Sequence, residues 1–112
     1  MNIRFNGISW HQHEPAAGMI MQQCAEVFGI TVGDLWSASR KIQPLFARHT
    51  CAYLLKTRYG FSITQIAACI HRRQRGTVLN ALRQAQALLA TNRYFRKNYD
   101  EVCKRIGVDI SK

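Results

Sequence analysis

The chain has 112 residues, 47% of them apolar, and a formal net charge of +10. That length fits one small domain, the apolar share excludes a disordered chain, and no apolar run is long enough to span a bilayer. The opening MNIRFNGISWHQHEP has neither the apolar stretch nor the small-residue cleavage site of a secretory signal, so the expected location is the cytoplasm.

In chain order, residues 1–14 read as an irregular N-terminal arm, followed by one helical domain over 15–112. Pro15 suits a first helical position and opens a helix that places Ile20, Cys24, Val27 and Phe28 on one face, with Gly29 ending it. Thr31 and Asp34 have capping-box spacing, and a single turn carrying Val32, Leu35 and Trp36 would close off the core. SASRKIQ follows as a polar loop. Pro44 then starts LFARHTCAYLLKTRY, where Leu45, Ala52, Leu55 and Tyr59 line one side and Cys51 and Leu54 lie beside them, until Gly60 stops the helix. Ser62 and Gln65 form a second capping box, bracketed by Phe61 and Ile66 as a hydrophobic staple.

The helix begun at Ser62 is short, because HRR intervenes before a new apolar period of Val78, Leu82, Ala85 and Leu89. A short helix, a tight polar turn and a longer helix make a helix-turn-helix. Phe95, Tyr99, Val102 and Ile106 mark a last helix, with Gly107 after it. The expected fold is all-α, about five helices containing a helix-turn-helix.

Charge is distributed unevenly along this framework. From Leu35 through Tyr99 there is no Asp or Glu, and the same interval holds twelve of the sixteen Lys and Arg. Solvated surfaces usually mix both signs, so an acid-free interval of this length points to a polyanionic partner, with nucleic acid leading. The basic residues are spread over several helices, which argues against a membrane-surface role. Cys24, Cys51, Cys69 and Cys103 have no close pair and read as packing thiols. Only His11 and His13 approach metal-ligand spacing, and two residues do not fill a tetrahedral shell, so no metal or cofactor is expected. His49 and His71 read as surface groups. No Ser, His and Asp grouping or Cys and His pair has a spacing that suggests catalysis, so neither an enzyme nor a small-molecule substrate is expected. RNA binding ranks behind DNA binding, because the aromatic residues fall on apolar helical faces and not where single-stranded bases could stack on them.

In a helix-turn-helix the second helix enters the major groove and its N-terminal residues meet base edges. Here these are Gln74, Arg75, Gly76 and Thr77. Arginine suits guanine, glutamine suits adenine, and the free amides of a helix N-terminus favour phosphate.

From Ile20 to Leu89 the chain resembles, without a gap, the C-terminal DNA-binding domain of the bacterial replication initiator DnaA, a TrpR-like helix-turn-helix. The blocks that carry the resemblance are CAEVFGITVGDLW, the basic loop with Arg40, AYLLKTRYGFSITQIA, and RRQRGTVLNALR, which falls on the family signature GRDH[ST]TVLHA. The resemblance implies that Arg40 enters the minor groove and that Arg48 and Lys56 face the DNA backbone. It also implies that Ile63 and Thr64 lie where the short helix touches a base, that Arg73 is the signature arginine, and that Thr77 contacts DNA. Arg72, Arg73 and the two basic positions of the preceding helix would form a phosphate surface. The departures are Arg72 for a glycine, Gln74 for the aspartate, Arg75 for the histidine and Gly76 for the first threonine, so DNA binding carries over better than the initiator's usual box. A phosphate-cradling GxxxxGK[ST] is absent from the chain, which implies a free-standing relative without the ATPase. The expected partner is double-stranded DNA, in a role related to replication-origin binding. Transcriptional regulation or a phage or transposon function is the alternative, with other replication or mobile-element proteins as further partners.

Overall fold

A helix with seven consecutive buried residues cannot be a surface helix, and residues 46–52 form such a run. They belong to the central helix of the computed structural model, which describes residues 8–35, 37–69 and 75–107, with side chains from Ala17 onward. The described residues form α1 (Ile8–Phe28), α2 (Val32–Leu35), α3 (Ile42–Tyr59), α4 (Ile63–Cys69), α5 (Arg75–Thr91) and α6 (Arg93–Ile106), with no strand among them. The all-α expectation holds. Helix α3 packs against α1, α5, α2 and α4, while α6 closes the other side of α1 and α5. Ile20, Leu35, Leu54, Leu55, Phe61, Ile66, Val78, Phe95 and Val102 meet in one core. Phe46 of α3 meets Phe95 of α6 edge-on at 5.1 Å, the favourable geometry for two aromatic rings.

Local signals set most boundaries. Thr31 and Asp34 cap each other, the Thr31 amide donating to Oδ2 at 3.2 Å and the Asp34 amide to Oγ1 at 3.0 Å. Ser62 and Gln65 repeat the arrangement at the start of α4, at 2.9 and 3.1 Å, and the stapling Phe61 and Ile66 are both buried. Gly60 ends α3 at φ +70°, a left-handed conformation that a side chain would strain.

Both prolines were misleading as start signals. Helix α1 opens at Ile8 and not at Pro15, so residues 8–14 are helical where an irregular arm was expected. Proline's fixed φ is helical, and within a helix it removes one hydrogen bond without having to mark the first residue. Pro44 is the third residue of α3, still inside the first turn, where its missing N–H costs nothing.

Candidate nucleic-acid interface

The helix-turn-helix consists of α4 and α5. The turn between them, with Arg72, Arg73 and Gln74, lies outside the described residues. Helix α5 begins at Arg75 and sinks Val78, Ala81 and Ala85 into the core. That stripe leaves Arg75, Gly76, Thr77, Leu79, Asn80 and Arg83 exposed on the outer side. On α4, Thr64 is exposed and Ile63 half-buried against the core.

The loop between α2 and α3 comes to the start of α5. Arg40, from that loop, and Thr77, from α5, line one open cleft of about 280 Å³ together with Asn80, Arg48, His49 and Leu45. Arg40 and Thr77, to each of which the family resemblance assigns a DNA contact, thus border the same cleft. Arg40 is exposed there.

Arg48 is placed differently from the expectation that it faces the DNA backbone. It is 8% exposed, and its guanidinium reaches back to the loop. Nη1 donates to the carbonyl of Ser37 at 2.9 Å and more weakly to that of Leu35 at 3.4 Å, and Nη2 donates to the carbonyl of Ser39. Serine side chains complete the scaffold: Ser37 Oγ donates to the Asp34 carbonyl at 2.7 Å, and Ser39 Oγ accepts from the Lys41 amide at 3.2 Å. Arg48 therefore fixes the backbone that presents Arg40. A basic residue on a central helix has no free face to show, and it stays charged by binding carbonyls.

His49 also departs from its surface expectation. It is 7% exposed and lines the same cleft, and its Nδ1 is buried without a hydrogen-bond partner among the described residues. Burial, and then the neighbouring Arg48 charge, push its pKa from the ordinary 6.5 down to about 4, so the imidazole is neutral at neutral pH.

A family model described as the bacterial DnaA protein helix-turn-helix matches residues 17–85, more than half of the chain. The chain belongs to this family. As a DnaA-type helix-turn-helix domain it binds double-stranded DNA through that motif, and the family is a DNA-binding one, not a catalytic one. Among the described residues, no helix is long and apolar enough to cross a membrane.

The electrostatics of this DnaA-type domain separate by element. The acids of the described residues, Glu14, Glu26, Asp34, Asp100 and Glu101, sit on α1, α2 and α6. Three of them pair with arginines of α6: Arg96 with Asp100 at 3.4 Å, and Arg105 with Glu26 at 3.2 Å and Glu101 at 3.1 Å. Helices α3, α4 and α5 carry no acid. Lys56, exposed on α3, lines a second shallow cleft with Tyr53, Thr57, Leu82, Arg83 and Gln86, on the other flank of α5 from Thr77 and Ala81. Cations therefore flank α5 on both sides.

Sequence reasoning stopped at Thr77 and missed Leu79, Asn80 and Arg83. The signal was available. The period that buries Val78 and Ala85 turns these three outward, and Asn80 shares the cleft of Arg40.

Proposed function

We propose that the domain binds duplex DNA sequence-specifically, with α5 in the major groove and Arg40 reaching into the adjacent minor groove. The observation that carries this reading is the cleft shared by Arg40 and Thr77, which sets a basic loop beside the start of the second helix of the motif. Arg75, Gly76, Thr77 and Asn80 face the bases, together with Gln74. Lys56, Arg72, Arg73 and Arg83 neutralise phosphates, and Thr64 and Ile63 approach from α4. The absence of acids from α3, α4 and α5 supports the same orientation, since phosphates repel carboxylates. The role is that of an origin-binding relative in the cytoplasm. The departures Gln74, Arg75 and Gly76 favour a site different from the initiator's box, with adenine and guanine at neighbouring positions.

Selection from a random duplex pool, followed by binding over a range of salt, tests the proposal. One enriched duplex motif is expected, with a log-log salt slope near −5 for about six neutralised phosphates. No enrichment, equal affinity for single strands or duplex RNA, or a slope shallower than about −2 would overturn it.

A further inference from the structure

Four large apolar side chains stand exposed among the described residues: Met19, Ile42, Leu79 and Tyr94. The ring of Tyr94 rests near those of Phe28 and Phe46, at 6.4 and 6.2 Å. Of the four, Leu79 alone lies on α5. It is 44% exposed on the outer side of that helix, where its neighbours at i−4, i−3 and i+4 are Arg75, Gly76 and Arg83, and at i+3 the half-buried Leu82. A leucine edge standing out beside two arginines gains nothing from water, and a polyanion offers one apolar feature on the floor of its major groove. That feature is the 5-methyl group of thymine.

Gly76 supplies the second observation. It lies in the first turn of α5, three residues before Leu79 and therefore on the same side. Glycine is a poor helix former, and the fold does not require one here. Gly76 is not among the glycines of positive φ, which are Gly29, Gly60 and Gly107. A Cβ built on it would meet no other atom of the described residues within 4 Å. Among the described residues the position is open. Close approach by a partner would use that space, because a bare backbone lets the helix settle deeper and brings Leu79 within contact of a base edge.

We infer that Leu79 is a specificity-determining residue that reads one thymine of the bound duplex by packing on its 5-methyl group, with Gly76 giving the clearance. The inference rests on the placement of α5 in the major groove. It makes the preferred site carry a thymine beside the bases met by Arg75 and Asn80. It also makes this contact independent of salt, unlike the phosphate contacts around it.

Each thymine of the selected duplex is replaced in turn by uracil, which removes only the methyl group, and the affinity of the full chain is read by fluorescence anisotropy. One replacement should weaken binding by about three- to fivefold, the effect of one lost methyl contact. Leu79→Ala should bind thymine and uracil equally at that position, and Leu79→Met should restore part of the discrimination. Circular dichroism confirms that each variant is folded. If no uracil replacement weakens the parent, or if Leu79→Ala keeps the full preference, the inference is wrong. Arg75→Ala and Asn80→Ala separate the two levels. If they change base preference while Leu79→Ala does not, the methyl contact alone fails. If no substitution on α5 changes base preference, the placement of α5 fails and takes the inference with it.

Discussion

Replacing Arg48 by methionine keeps the apolar stem of the side chain and removes its charge and its donors. The guanidinium donates to the carbonyls of Ser37 and Ser39 and, over a longer 3.4 Å, to that of Leu35. Hydrogen bonds to a charged group are worth about 1.5–3 kcal/mol each, so those to Ser37 and Ser39 sum to about 3–6 kcal/mol before relaxation. Ser37 and Ser39 are only half-buried, so their carbonyls recover water when the arginine is gone. A net loss of about 2–4 kcal/mol remains. For a domain of this size that lowers Tm by roughly 10–20 °C in a circular dichroism melt.

DNA affinity should fall as well, because the loop no longer delivers Arg40. A double-mutant cycle with Arg40→Ala separates this route from direct phosphate contact. If Arg48 acts through Arg40, then Arg48→Met costs little further affinity once Arg40 is already alanine. An unchanged Tm combined with additive losses of affinity would refute the positioning role and restore Arg48 to the DNA surface.

Arg40→Ala alone should cost about 1–3 kcal/mol of specific binding with Tm unchanged, since its side chain is exposed, and equal affinity of mutant and parent would remove it from the interface. Gly76→Ala should raise the stability of the free domain by about 0.5–1 kcal/mol while weakening binding, because the new methyl group finds room in the protein but not against DNA. Unchanged affinity would show that nothing approaches the backbone there. The folded-state pKa of His49 lies below its unfolded value, so between about 6.5 and 4 the unfolded chain binds the extra proton and stability declines as pH falls. The loss is on the order of 2–3 kcal/mol by the lower end, and urea titrations of His49→Gln should lack this slope; identical pH profiles would assign it to another group.

Features of the fold that depend on a few neighbouring residues were legible in the sequence. The capping boxes of Thr31 with Asp34 and of Ser62 with Gln65 and the stop at Gly60 are local chemistry, and each sits where its spacing placed it. Burial on a central helix is not local. Nothing in LFARHTCAYLL announces that residues 46–52 of α3 are all buried, so Arg48 and His49 read as surface groups although the loop after α2 and the start of α5 border them. The start of α1 was illegible for a related reason, since Pro15 disfavours helix before it and yet α1 runs through it from Ile8. For the interface, periodicity located α5 and its outward residues, but the meeting of Arg40 with Thr77 depends on how α3 packs beneath α5. The family resemblance implies a DNA contact for each of them, not their shared cleft.

The division between legible and illegible residues also bears on how a domain of this family could change its target without changing its fold. Val78, Ala81 and Ala85 hold α5 to the core, and Ser62 with Gln65 fixes the start of α4, so the position of the helix-turn-helix is set by packing and capping and not by the side chains at 75 and 76. Arg75 and Gly76 depart from the family signature and lie on the exposed first turn, where the core constrains side-chain identity least. The loop is separable in the same way. Arg48 and the serines hold its backbone through carbonyl and hydroxyl contacts that are indifferent to the side chain at position 40. A scaffold fixed from inside and a reading surface left free outside would allow base preference to shift by single substitutions. Arg48, which the family resemblance sets against the DNA backbone, then belongs to the scaffold, and Leu79, which the apolar period of α5 leaves out, belongs to the reading surface.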